Sequence, residues 1–202
     1  MYSCSQRLLE ILTVSVTVGL AGVLLVVASS LAPFGHTQSR PVVAAFNVSI
    51  SPLMRMRMPV LYAQEVSPPP LLDYVFFRFT LRADFSTVWD WNTKAVYVAC
   101  IARYRTDQYV VNEVTLLDTV LKSRTAAAEW RLDNAEKYPL EDARLGALAG
   151  VQVQLSIHYQ VLRYCGYSPI FEISPVGNVF PVLTLPRTYV SLPQDGRLEH
   201  TT

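Results

Sequence analysis

Cysteine is scarce in this chain, and its spacing excludes two kinds of site. Only Cys4, Cys100 and Cys165 occur among the 202 residues. They are too few and too scattered for a disulfide framework, and they lack the close-spaced pairs of a zinc site. In an oxidising compartment Cys100 and Cys165 could form one disulfide; otherwise we expect two buried free thiols. We expect no metal and no cofactor.

Histidine is equally scarce, which limits nucleophilic catalysis because a serine or cysteine nucleophile needs a base beside it. His36 flanks an apolar segment, His158 is predicted on the outward face of a strand, and His200 lies in a polar tail. A serine–lysine pair would need a lysine in an apolar pocket. The lysines lie instead in polar or loop contexts: Lys94, Lys122 and Lys137. We therefore do not expect an enzyme.

Charge is low and balanced, which excludes further classes of protein. Charged residues make up 16% of the chain, against about 25% in soluble globular proteins, and the formal net charge is +1. The arginines are scattered, so nucleic-acid binding has no electrostatic basis. The carboxylates match no EF-hand spacing, and there is no glycine-rich loop to hold a phosphate.

The chain does contain a long apolar run, from Ile11 to Ala32, with no charged residue. As a helix it would span about 33 Å, enough to cross a bilayer. A cleaved signal peptide is the alternative, but its apolar core is normally shorter, and Pro33 would adjoin the scissile bond. We expect an uncleaved signal anchor.

The expected topology places the main domain in the lumen. Asn47-Val48-Ser49 is an N-glycosylation triplet, and the N-terminal tail is too short to fold by itself. We therefore predict a cytosolic tail at 1–10, a membrane helix at 11–32 and a lumenal domain at 33–202. That domain includes a proline-rich segment at about 66–72 and a polar tail at about 191–202.

Period-2 hydrophobicity predicts that the domain is an antiparallel β-sandwich. In Val75–Phe85 and in Val151–Gln160 apolar and polar residues alternate, as on a strand with one wet face. Further strands are predicted at the following segments: 42–50, 54–60, 95–104, 111–121, and a pair at 169–173 and 179–185. Only 123–148 is helix-prone, with one or two short helices expected. The fold class is thus mostly β, with one N-terminal transmembrane helix.

The most distinctive local motif is Trp89-Asp90-Trp91-Asn92, between two predicted strands. Two tryptophans at this spacing could anchor a partner, because tryptophan is common at interface hot spots. Alternatively, both rings pack under a corner of the sandwich while Asp90 and Asn92 form the turn. We favour the packed corner.

This corner and several later segments resemble the signal peptidase complex subunit 3 family. The resemblance begins with ADFSTVWDWNTKAVYVACIARY and VNEVTLLDTVL, and it continues through Lys137-Tyr138 and Leu148-Ala149-Gly150. It ends with VQVQLSIHYQV and with FPVLTLPRTY, which contains Pro186, Thr188 and Tyr189. The order of these motifs is more specific than any one of them, and together they extend from about Arg7 to Val190.

The resemblance implies a non-catalytic accessory subunit of the endoplasmic-reticulum membrane, with one membrane helix and a lumenal β-sandwich. Its implied partners are a catalytic Ser-protease subunit and the other subunits of the signal peptidase complex, in a hetero-oligomer that removes signal peptides. The family's usual glycosylation triplet is replaced by Gly150-Val151-Gln152, which leaves Asn47 as the acceptor. The alternative function is an unrelated single-pass receptor or adhesion-type sandwich.

Overall fold

The N-terminal apolar run forms one continuous helix. The computed structural model describes residues 4–31, 40–57, 71–173 and 180–190, and helix α1 extends over Cys4–Leu31. Its segment Cys4–Ala28 has a mean hydropathy of 2.5, and none of its apolar window is buried. The hydroxyls of Thr13 and Thr17 donate to carbonyls one helical turn back, at 2.8 Å each, so neither is unsatisfied. An uncovered apolar helix of this length is suited to lipid.

The predicted boundary at the start of the anchor does not coincide with the start of the helix. Helix α1 begins at Cys4, within the segment expected to be a cytosolic tail, and includes Arg7 and Glu10. Near a bilayer surface both side chains can extend to headgroup water. Ala32, Pro33 and His36 lie outside the described residues.

The remainder of the described chain is mostly strands, with one short α-helix and one 3-10 turn at Ser86–Val88. The strands, in chain order, are β1 (Val42–Ile50), β2 (Leu53–Arg57), β3 (Leu71–Val75), β4 (Phe77–Asp84), β5 (Thr93–Tyr104), β6 (Asn112–Leu121), β7 (Trp130–Ala135), β8 (Leu140–Asp142), β9 (Gln152–Arg163), β10 (Ile170–Ile173), β11 (Val182–Thr184) and β12 (Tyr189–Val190). The short helix α2 is Arg124–Ala128. The mostly β fold class is therefore confirmed.

Among the described residues, three hydrogen-bonded sheets form the sandwich. One has the order β1-β4-β7, a second has β10-β9-β5-β6 with β11 also on β9, and a third has β12-β2-β3-β8. All pairings are antiparallel except that of β12 with β2. The first and third sheets are joined at a bend, where Ser51 N donates to Phe76 O and Phe76 N donates to Ser51 Oγ, both at 2.9 Å.

The hydrophobic core contains residues of all three sheets, most of them from β4, β5 and β9. Strand β4 alternates buried and exposed residues as its sequence predicts, with Phe77, Phe79 and Leu81 almost fully buried. Phe85, at the end of β4, has its ring centroid 5.7 Å from that of Trp130 and 5.8 Å from that of Tyr159 on β9. This aromatic group closes the core at one end, and each buried ring contributes about 1.5–3 kcal/mol.

The helix-prone region 123–148 contains one short helix, as expected: α2, which Ser123 caps by accepting from Ala126 N at 3.2 Å. Strands β7 and β8 form the rest because they pair with β4 and β3. Both strands of the predicted C-terminal pair are present, as β10 and β11, but each pairs with β9 and not with the other, so only the predicted pairing needs correction.

The register fixes which connections share an end of the sandwich. Val42 pairs with Asp84, Val96 with Leu121, and Thr93 with Arg163. The start of β1 and the connections 85–92, 122–129 and 164–169 therefore lie together at one end, which we call the entry end. The β5–β6 connection at 105–111 lies at the opposite end, called the far end. Twelve-residue strands such as β5 separate the two ends by about 40 Å.

Candidate functional site

The Trp89–Asn92 motif forms a hydrogen-bonded turn at the entry end. Asp90 Oδ1 accepts from Asn92 N at 2.9 Å and from Thr93 Oγ1 at 2.8 Å. Asp90 N donates to Thr93 Oγ1 at 3.0 Å, and Arg163 Nη1 lies 3.4 Å from Asp90 Oδ2. Aspartate is favoured at such positions because its side chain bonds to backbone two residues ahead. The predicted turn role of Asp90 and Asn92 agrees with this geometry.

Asn92 joins this turn to the β9–β10 connection. Its side chain is buried, with Nδ2 donating to Cys165 O at 2.6 Å and Oδ1 accepting from Cys165 N at 3.2 Å. A backbone hydrogen bond also joins the two segments, since Tyr164 N donates to Asn92 O at 2.9 Å. A buried amide with both ends paired holds two loops in one relative position.

The two tryptophans of the motif have different environments. Trp89 is half-buried and packs against the hydrophobic core, whereas Trp91 is 76% exposed. Packing of both rings under the corner, the interpretation favoured from sequence, is therefore wrong for Trp91. The physical reason is the turn itself, which interrupts strand alternation between positions 89 and 91. The Trp91 side chain instead lies in solvent, where it can contact a partner protein or a membrane surface.

Two exposed tyrosines accompany Trp91. Tyr164 is 73% exposed and Tyr167 is 62% exposed, both on the connection that Asn92 holds. We call Trp91, Tyr164 and Tyr167 the aromatic rim. Sequence inspection identified only Trp91 of the three, because the tyrosines join it through the register of β5 with β9.

The two candidate disulfide partners are far apart. Cys100 lies opposite Ile157 in the middle of the β5–β9 strand ladder. Cys165 lies beyond Arg163, past the end of that ladder. The separation along the strand is about 20 Å, and a disulfide requires Cα atoms within about 7 Å. Both are free thiols, so the disulfide alternative is wrong. Burial raises the pKa of Cys100 to about 12, whereas Cys165 is only half-buried.

The possible glycosylation residue, Asn47, lies on β1, at an edge of the described sheets. Asn47 and Ser49 are exposed while Val48 between them is half-buried, so the triplet presents its two polar side chains to solvent. Asn47 is opposite Thr80 of β4, and a sugar there would project from the outer face of this sheet. The geometry is compatible with attachment.

Potential catalytic groups on the outer face of β9 do not form an activated pair. His158 is partly covered, and its Nε2 lies 3.7 Å from Glu172 Oε1. Ser156 is on the same face and buried, but its hydroxyl has no hydrogen-bond partner in the described part of the chain, His158 included. Among the lysines, Lys137 is exposed, and its hydrogen bond to the Asp118 carboxylate raises its pKa. A lysine base would need the opposite shift.

Sequence reasoning missed a buried carboxylate at the far end. Asp73 on β3 is fully buried and accepts from Gly146 N at 2.7 Å and from Tyr189 Oη at 2.6 Å. Arg55 Nε lies 3.4 Å from its other oxygen, and the Arg55 guanidinium stacks 4.0 Å above the Tyr189 ring. Gly146 has a φ of 87°, which favours glycine there. The only sequence signal was a lone aspartate in an otherwise apolar strand.

An open cavity of about 490 Å³ lies at the far end, between the β5–β6 connection and the start of β9. Arg103 and Arg105 provide positive charge, and apolar side chains such as Val110 and Val182 provide much of the remaining lining. Arg103 is paired with Glu113 at 2.6 Å, which leaves Arg105 as the less compensated charge. The lining thus combines apolar side chains with positive charge.

The described residues define a class of protein. One helix long enough and apolar enough to cross a membrane precedes a β-sandwich with exposed aromatic and apolar surfaces. This combination is typical of membrane-anchored proteins.

The chain belongs to the signal peptidase subunit family, whose pattern matches residues 1–182. It is similar to signal peptidase complex subunit 3 of Saccharomyces cerevisiae, with 31% identity over 101 residues, covering 50% of this chain and 54% of the relative. The corresponding protein of Dictyostelium discoideum is 29% identical over 119 residues, covering 58% of this chain and 68% of the relative. That of Caenorhabditis elegans is 26% identical over 119 residues, covering 59% and 64% respectively.

The chain thus spans roughly half to two thirds of the lengths of these relatives. Family membership confirms the resemblance seen in the motifs, and it sets aside the alternative of an unrelated receptor or adhesion protein.

Proposed function

We propose that this chain is a non-catalytic accessory subunit of a signal peptidase complex in the endoplasmic-reticulum membrane. The observation that carries the proposal is the family match over residues 1–182, together with relatives named signal peptidase complex subunit 3. Ser156 and His158 support a role without catalysis, because the Ser156 hydroxyl makes no hydrogen bond to His158 and a nucleophile needs a base within hydrogen-bond reach. Catalysis would come from a separate Ser-protease subunit.

The proposed topology has a short cytosolic tail, one membrane-crossing helix and a lumenal sandwich. The exposed triplet at Asn47 supports this orientation, since glycosylation occurs on the lumenal side. In microsomes, protease should spare the sandwich, and endoglycosidase should lower the mass of the full chain. Asn47→Gln and Ser49→Ala should abolish that mass change, whereas Ser49→Thr should retain it. Digestion of the sandwich in sealed microsomes would contradict the orientation.

Accessory subunits act by positioning, because holding a protease and its substrate at the bilayer can control rate without supplying a reactive group. The test is purification of the full chain from detergent-solubilised membranes, combined with its depletion in cells. We expect co-purification of a serine-protease subunit that has its own membrane helix, and accumulation of uncut secretory precursors on depletion. Normal processing after depletion, with no protease recovered, would refute the assignment.

A further inference from the structure

The aromatic rim is at the end of the sandwich that is tethered to the membrane helix. Arg40, the first described residue after α1, follows Leu31 by nine residues and precedes the first residue of β1 by two. Nine peptide units span at most about 32 Å when fully extended. Arg40 therefore cannot lie further than this from the end of α1, and the entry end begins two residues after Arg40, whereas the far end is a strand length away from the entry end.

The chemistry of the rim suits a lipid headgroup layer. Trp91, Tyr164 and Tyr167 each combine a large apolar ring with one polar hydrogen-bonding group, and all three are mostly exposed to solvent. Tryptophan and tyrosine concentrate at membrane–water interfaces because one side of the ring is buried among acyl chains while the polar group stays hydrated. The bonds of Asn92 to Cys165 hold the two loops together, so little conformational entropy is lost on contact.

Most of the charged side chains that surround the aromatic rim and lack an ion-pair partner are positively charged. Lys94, Lys122 and Arg124 are exposed at the entry end and form no ion pair within the described part of the chain. Of the acidic groups nearby, Asp90 and Glu129 are ion-paired, whereas Asp84 accepts a hydrogen bond from Ser86 N at 2.7 Å and has no cationic partner among the described residues. Asp90 lies 3.4 Å from Arg163, and Glu129 lies 3.5 Å from Arg131. Free cations beside interfacial aromatics complement anionic phospholipids.

We propose that the aromatic rim inserts into the headgroup region of the bilayer that α1 crosses, with Lys94, Lys122 and Arg124 facing lipid phosphates. This second membrane contact sets the height and tilt of the sandwich above the bilayer. It requires α1 to cross a membrane, but it does not depend on any partner subunit. The contact therefore orients the far-end cavity away from the lipid, so that the cavity faces the aqueous phase.

The test uses the full chain in nanodiscs, with no other subunit present. Cys4→Ser and Cys165→Ser leave only the buried Cys100, and a spin label is then introduced through Tyr167→Cys. The matched control is Tyr109→Cys at the far end, since Tyr109 is 54% exposed and Tyr167 is 62% exposed. Collision with a water-soluble nickel chelate and with lipid-partitioned oxygen is measured by electron paramagnetic resonance, in phosphatidylcholine alone and with added phosphatidylserine.

We expect the label at position 167 to be protected from the chelate several-fold relative to that at 109, and to collide more with oxygen. Added phosphatidylserine should strengthen the protection, and Lys122→Gln combined with Arg124→Gln should remove that increase. Tyr164→Cys should reproduce the result of Tyr167→Cys, and unchanged thermal unfolding verifies that each labelled chain is folded. Equal chelate access at 167 and 109 in both lipid mixtures would overturn the proposal. Protection that arises only when other subunits are added would instead assign the rim to a protein interface.

Discussion

Tyr189 donates a 2.6 Å hydrogen bond to Asp73, a fully buried carboxylate that lies 116 residues earlier in the chain. The contact joins the short strand β12 to the centre of the β2–β3–β8 sheet, beside the parallel pairing of Tyr189 with Leu53. The Arg55 guanidinium forms an ion pair with the Asp73 carboxylate and also stacks on the ring of Tyr189. Strand β12 has two described residues, so its backbone pairing is short and the side-chain contacts of Tyr189 add to it.

Tyr189→Phe should therefore destabilise the chain by about 1.5–3 kcal/mol, the usual range for a hydrogen bond to a charged group, because Asp73 would lose a donor in a buried site. The measurement is urea unfolding of the full chain in detergent, followed by tryptophan fluorescence. Tyr164→Phe is the control, since the exposed Tyr164 should change stability by no more than about 0.5 kcal/mol. Equal stability of the two variants would show that the bond to Asp73 contributes nothing.

Trp91→Ala should leave the free energy of unfolding within about 0.5 kcal/mol of the original chain, because the ring is mostly in solvent. Phe85→Ala is the matched core variant. Phe85 is fully buried between Trp130 and Tyr159, so its loss should cost about 3–5 kcal/mol. A large loss with Trp91→Ala would indicate that the ring packs in the core after all, and the same unfolding assay distinguishes the outcomes.

Asn92→Ala should lower stability by about 1–3 kcal/mol, since it leaves the backbone N–H and C=O of Cys165 without their side-chain partners. Asn92→Asp should also be unfavourable because it places a carboxylate oxygen against the Cys165 carbonyl. Hydrogen exchange of the Cys165 amide provides a local readout, and it should accelerate in Asn92→Ala. If exchange is unchanged, the turn and the β9–β10 connection are held by other contacts.

Cys100 and Cys165 should differ sharply in reactivity in the native chain with Cys4→Ser. A thiol reagent at neutral pH should modify Cys165 and spare Cys100, because burial raises the pKa of Cys100 to about 12 and only thiolate reacts. Under denaturing conditions both should react. The intact mass of the unreduced chain should equal that calculated for two free thiols. A mass lower by two hydrogens would indicate a disulfide and would contradict the separation of the two residues.

Stability should fall in alkaline solution because folding raises the pKa of several tyrosines. Burial is the main cause of this shift for Tyr74, Tyr97, Tyr104, Tyr159 and Tyr189. The unfolded chain then loses these protons first, so their contribution is fully present below about pH 10 and is lost as pH rises through the raised folded values. Urea midpoints measured at about pH 9 and about pH 11 should show the fall, and Tyr104→Phe should reduce it. A midpoint that is independent of pH in this window would contradict the prediction.

The local sequence pattern was sufficient to predict those helices and strands in which buried residues recur at a regular spacing. The uncharged run from Ile11 predicted the helix α1, and alternation in β4 and β9 predicted which residues face the core, since neighbouring side chains on a strand point to opposite faces. The family resemblance likewise depended on motif order, which needs no structure. These features are properties of short segments, and each segment specifies them by itself.

Tertiary structure decided everything that depends on register between distant segments. Strands β7 and β8 form in a helix-prone region because β4 and β3 are there to pair with them. The β5–β9 register places Cys100 far from Cys165 and brings Tyr164 beside the turn that exposes Trp91. Asp73 is tolerated in the interior only because Gly146, Arg55 and Tyr189 converge on it from three other segments. A buried charge requires partners, and the positions of those partners are set by packing across the whole domain.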